Sequence, residues 1–122
     1  MSYRIVTGFD GSAHSAAALR WSLAEAAGRS GEVTAVFCWQ LPFLSFPGIF
    51  RREELQRSYQ DFLVRSVSEI EPAPRVPLRT LVAEGDPTES LIAAARDADA
   101  DILAAGIRGR SPFAGLLLGS VS

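Results

Sequence analysis

The chain has 122 residues, 48% of them hydrophobic and 21% charged, and a formal net charge of −2. That length supports a single core and excludes two, and the near-balanced charge leaves no electrostatic footprint for nucleic acid or an anionic membrane. All 12 basic residues are arginine. The lysine that a P-loop extends to the β and γ phosphates is therefore missing, and so is Schiff-base chemistry through lysine.

The N-terminus enters a strand without a signal-like segment, and the longest apolar runs fall far short of the roughly 20 residues that span a bilayer. A cytoplasmic location is expected. The lone Cys38 has no internal disulfide partner and sits in an apolar run, which suits a reducing compartment and predicts a small buried hydrophobe.

In chain order, Tyr3 to Phe9 reads as a first strand that runs into Asp10-Gly11-Ser12. Ser12 is placed to cap a helix over 13–28, with Ala17, Trp21, Ala24 and either Ala27 or Leu23 facing inward. Gly28 and Gly31 end it. Glu32 to Trp39, rich in β-branched and aromatic residues, predicts the second strand.

Leu41 to Phe50, with two prolines and a glycine, predicts an irregular apolar loop beside that strand. From Arg51 to about Ile70 the spacing of Leu55, Tyr59, Phe62, Leu63, Val67 and Ile70 predicts the longest helix, which Glu71-Pro72-Ala73-Pro74 breaks. Val76 to Ala83 predicts a third strand. Asp86-Pro87-Thr88-Glu89 carries the pattern of an N-cap, a first-turn proline and a capping-box glutamate, opening a helix to Asp97 with Leu91, Ile92 and Ala95 on the sheet. Asp97, Asp99 and Asp101 read as a solvated turn into a fourth strand, Ile102 to Ala105.

Alternating strands and helices predict an α/β fold with an open parallel twisted sheet and right-handed crossovers. Ligands of such sheets collect at the carboxyl ends of the strands where strand order reverses, so Phe9, Asp10, Gly11 and Ser12 would face Ala105 and Gly106 across one crevice. His14, the single histidine, has no partner for a Cys/His metal set and reads as an exposed position on the first helical turn.

After the fourth strand the chain reads Gly106-x2-Gly109-x9-Gly119-Ser120. Glycines let backbone N–H groups turn toward an anion, and the reopening of a helix at Gly119-Ser120 would add unpaired donors. This spacing resembles the nucleotide motif of the ATP-binding branch of the universal stress protein family. The likeness covers essentially the whole chain. It extends to the Asp-Gly-Ser turn, to Ser15, Leu19 and Trp21 on an alanine-rich helix, to Gly85-Asp86-Pro87, and to the acidic turn into Ile-Leu-Ala-Ala-Gly.

The resemblance implies a flavodoxin-like strand order 3-2-1-4 and a single domain over 1–122. Family members continue through a further helix into a fifth strand that often mediates homodimerisation; the resemblance implies that both are missing here and that the domain is incomplete at its C-terminus. It implies that Asp10 and Cys38 lie at the adenine end of a bound ATP and that Ala105 and Gly106 border the same pocket. Gly109 would approach the ribose and phosphates, and Gly119, Ser120, Val121 and Ser122 would bind the phosphates. Arg108 and Arg110 fall inside this cradle, and Mg²⁺ would arrive with the nucleotide. No general base or catalytic set can be assigned, so slow or no turnover is expected, in a nucleotide-responsive stress or regulatory module. Two alternatives are an adenylating enzyme of the related α/β nucleotide-hydrolase group, whose loop fits Phe9 to Ser15 poorly, and an interaction domain without a nucleotide.

Overall fold

The computed structural model describes residues 3–40, 51–106 and 117–120. Short apolar strands alternate with helices as β1 (Arg4–Gly8), α1 (Ala13–Gly28), β2 (Glu32–Trp39), α2 (Arg52–Ser68), β3 (Leu78–Glu84), α3 (Pro87–Asp97), β4 (Ile102–Ala105) and β5 (Leu117–Ser120). The sheet order is β3-β2-β1-β4-β5, with β1 parallel to both β2 and β4, and β2 parallel to β3. The expected order 3-2-1-4 is therefore observed. Strand order reverses between β1 and β4, and the turns leaving those two strands share one crevice.

β5 departs from expectation twice. A fifth strand is present, and it is antiparallel to β4, with Gly119 opposite Leu103 and Ser120 opposite Ile102. The expected helix start at Gly119-Ser120 is instead extended backbone. The connection 106–116 is shorter than the dozen or more residues of a parallel crossover, so a segment pairing with β4 has to return in the opposite direction.

One face of the sheet is covered by α1 and α2 over a core that includes Ile5, Leu19, Val33, Trp39, Leu63 and Val67, and the other by α3 over Val6, Val36, Ala94 and Ala95. The inward face of α1 is rotated from the expected one. Ser15, Ala18, Leu19, Ser22, Leu23 and Ala26 are buried, whereas Ala17, Ala24 and Ala27 are exposed and Trp21 is intermediate. Alanine occurs on every side of this helix, so apolar periodicity hardly marks its face. Small residues at Ser15, Ala18 and Ser22 allow close approach, and the buried Ser22 hydroxyl is satisfied by donating to Ala18 O at 2.8 Å.

α2 docks on the outer strand through a run of polar contacts. Arg52 pairs with Glu84, Gln56 Nε2 donates to Val82 O at 3.0 Å, and Gln60 Nε2 donates to Thr80 Oγ1 at 3.2 Å. Four helical residues rise about 6 Å and two strand residues about 6.6 Å, so the two series stay in step. Pro77 O and Gly85 N bond to β2, so the backbone groups of the odd-numbered residues of β3 face β2 and those of the even-numbered ones, Val82 O among them, lie on the outer edge. Gln56 also accepts from Trp39 Nε1 at 2.8 Å, tying α2 to β2.

Candidate functional site

The crevice is built around the turn after β1. Ser12 caps α1, its side chain accepting from Ser15 N at 3.2 Å, and Ser12 N donates to Asp10 Oδ1 at 2.9 Å in an Asx turn centred on Gly11. Gly11 has φ +86°, a left-handed conformation that glycine adopts without penalty. Ser15, 5% exposed, completes the cluster: its Oγ accepts from Asp10 N at 3.2 Å and lies 2.9 Å from Asp10 Oδ1 and 3.0 Å from Ser12 O, two acceptors for one proton.

Burial raises the Asp10 carboxyl pKa, but hydrogen bonds from Ser12, Ser15 and the local backbone outweigh that, and the net result is below the ordinary value. Asp10 is thus an anion at neutral pH. Among the described residues both donors converge on Oδ1, which leaves Oδ2 to accept from a ligand.

Behind Asp10 a cavity of about 200 Å³ opens at the carboxyl ends of β1, β2 and β4. Its apolar walls are Phe9, Val36, Pro87, Leu91 and Ala105, and Asp10, Ser15 and Cys38 supply polar atoms. The Cys38 thiol is raised above its usual pKa by burial, with hydrogen bonding from Ser90 opposing and the charge of Asp86 adding to the rise. It points toward Pro87 O at 3.9 Å, a weak donor at neutral pH. Cys38 is half-buried beside the cavity and not enclosed in the core, contrary to the reading of its apolar run.

Gly106 closes the crevice from β4. A Cβ on it would collide with His14 O and would lie 2.8 Å from Ser15 N, so the missing side chain is what lets the end of β4 meet the first turn of α1. α3 forms the far wall from its first turn, where Asp86 Oδ2 accepts from Glu89 N at 3.0 Å and Pro87 occupies the first position.

The structure thus brings together Phe9, Asp10, Cys38, Ala105 and Gly106, with Gly11 and Ser12 in the supporting turn. It does not bring Gly119 and Ser120 to the crevice, because their partners Leu103 and Ile102 lie toward the start of β4. Arg108, Gly109, Val121 and Ser122, together with the loop 41–50 and Arg110, lie outside the described residues. Sequence reasoning left Ser15, Val36, Pro87 and Leu91 out of the candidate set. Ser15 had a signal, three residues after a serine cap; Leu91 read only as a core-facing residue.

The profile of the universal stress protein family matches residues 1–122. The chain belongs to the universal stress protein family. Among solved structures, a universal stress protein from Archaeoglobus fulgidus is 27% identical with a TM-score of 0.67, the match covering 99% of this chain and 88% of that one. A member of the family from Burkholderia pseudomallei is 22% identical with a TM-score of 0.65, covering 84% and 80%. A universal stress protein solved in complex with cAMP is 20% identical with a TM-score of 0.60, covering 83% and 69%. Comparison with curated protein sequences gives no match. This universal stress protein domain has, among its described residues, no helix long and apolar enough to cross a membrane.

Proposed function

We propose that this universal stress protein domain binds an adenine nucleotide, ATP in particular, with the base and its sugar in the crevice beside Asp10. The observation that carries the reading is the cavity itself, with an ionised carboxylate at one side of an apolar slot formed by Val36, Pro87, Leu91 and Ala105. Flat aromatic bases are held by apolar walls, and the free Asp10 oxygen suits a hydroxyl or amino donor. Sites for drug-sized ligands run from roughly 300 to 1,000 Å³. At about 200 Å³ the cavity therefore suits the uncharged end of a nucleotide and not the whole of it.

Asp10 repels phosphate, so the charged tail is assigned to the stretch after Gly106, with Arg108 and Gly109 as its contacts and Mg²⁺ carried by the nucleotide. Gly119 and Ser120 are given up for that role in this sheet arrangement, and with them Val121 and Ser122, which adjoin Ser120 in the sequence. The cAMP complex of a related fold supports the ligand class. Asp10, with its depressed pKa, is a poor general base, which favours a nucleotide-responsive module with slow or no hydrolysis. A cytoplasmic setting, and a homodimer formed through the C-terminal strand, belong to the same proposal.

The test is mass spectrometry of small molecules released from the purified protein, followed by calorimetric titration with ATP, ADP, AMP and cAMP. Released or titratable adenine nucleotide, lost in Asp10→Ala, is expected. Absence of binding by all four would overturn the reading in favour of a nucleotide-free interaction domain, and rapid AMP and pyrophosphate formation with carboxylic acids would point to an adenylating enzyme.

A further inference from the structure

We propose that Phe62 on α2 is a positioning residue for the nucleotide crevice, setting the Asp10 turn by bearing on Gly11. The ring tip faces the centre of the Asx turn: Phe62 Cζ lies 2.9 Å from where a Gly11 Cβ would sit. Gly11 is the residue whose left-handed backbone folds Ser12 N back onto Asp10 Oδ1. What fixes Gly11 therefore acts together with Ser15 in setting the direction of the carboxylate.

Phe62 does not do this as a core residue. It is 38% exposed, while its neighbour Leu63 is fully buried. Its orientation comes from an edge contact with Phe37 at 5.6 Å between ring centres and 68°, and Phe37 in turn stacks on Tyr59 at 4.9 Å. Phe37 directly precedes Cys38, so one aromatic group braces both the β1 turn and the β2 wall of the cavity. The Arg52, Gln56 and Gln60 contacts hold α2 to β3 and give Phe62 a fixed base from which to bear. α2 contributes no lining residue to the cavity, yet it determines the shape of the turn that does.

The effect on nucleotide affinity rests on the proposed function, whereas the effect on the turn does not, and the experiment separates them. In the ligand-free protein, the Ser12 amide proton is followed by NMR in wild type, Phe62→Ala, Phe62→Leu, Gly11→Ala and the Phe62→Ala/Gly11→Ala double variant. Phe62→Ala is expected to shift the Ser12 resonance toward its unbonded position, and Phe62→Leu, which restores apolar bulk, to return it at least half-way. The two single changes should be non-additive, because they act on one contact.

Calorimetry with ATP should then show about a tenfold loss in Phe62→Ala, within the usual range of coupling between adjoining sites, with recovery in Phe62→Leu. A Ser12 resonance unmoved in both Phe62 variants, or additive shifts in the cycle, would overturn the positioning role. If wild type binds no adenine nucleotide, the function reading fails and the NMR result still decides for or against Phe62. A shifted resonance with unchanged ATP affinity would overturn the link to the ligand.

Discussion

Replacing Ser15 with alanine isolates the group on which the Asp10 turn depends. The side chain is 5% exposed, and its hydroxyl serves Asp10 N, Ser12 Oγ and, through its single proton, Asp10 Oδ1 or Ser12 O. A hydrogen bond to a charged group is worth about 1.5–3 kcal/mol. Asp10 N also loses its acceptor, but Asp10 is exposed, so water replaces much of that bond. Alanine returns about 0.5 kcal/mol of helix propensity. The expected net loss is about 2 kcal/mol at pH 7, or about 6–12 °C in Tm for a domain of this size.

The sign with pH follows from Asp10. Its folded pKa is depressed, so its contribution is present above the unfolded carboxyl value and lost as pH falls through the folded one. Ser15→Ala removes part of that contribution. Urea denaturation of both proteins should therefore show stability curves about 2 kcal/mol apart at pH 7 that draw together as pH falls toward 3. A separation that stays constant between those pH values would refute the argument that the hydroxyl acts through the ionised carboxylate.

Gly106→Ala places a methyl group against the backbone of His14 and Ser15, which cannot yield as a flexible side chain would. Overpacking of about 1–3 kcal/mol is expected, read as a lower urea midpoint with an unchanged slope, and an unchanged midpoint would show that β4 and α1 do not meet as described. Cys38, with its raised pKa and half-buried sulfur, should alkylate with iodoacetamide more slowly at pH 7.5 than a free cysteine peptide and accelerate as pH rises toward 10. A peptide-like rate at pH 7.5 would contradict the wall position, and saturating ATP should slow the reaction further.

Much of this fold was legible because its strands and caps carry local chemistry. The bounds of α1, β2 and β4 agree with expectation, Asp86 accepts from Glu89 N as its cap pattern implied, and the parallel β1–β4 sheet follows from alternation, its order from the family likeness. What was not legible depended on tertiary choices. α1 is too rich in alanine for periodicity to mark its buried face. The same glycine and serine at 119 and 120 serve a helix start or an extended edge, and the decision lies in whether β4 acquires a neighbour, which no local pattern encodes. At the site, Asp10, Cys38 and Gly106 were found from strand-end position and family likeness, whereas Leu91 and Pro87 belong to it because α3 packs across the mouth of β1, where Leu91 Cδ1 lies 3.1 Å from the position a Gly8 Cβ would take.

The glutamines of α2 also bear on how this sheet behaves in a crowded solution. An outer strand with open backbone groups invites another chain to add itself, the first step toward aggregates. Here the side chain of Gln56 already occupies the carbonyl at Val82, and the paired charges of Arg52 and Glu84 flank it. An incoming strand would have to displace Gln56 to reach that carbonyl, so the helix that braces the crevice also obstructs fibrous growth at this point of β3.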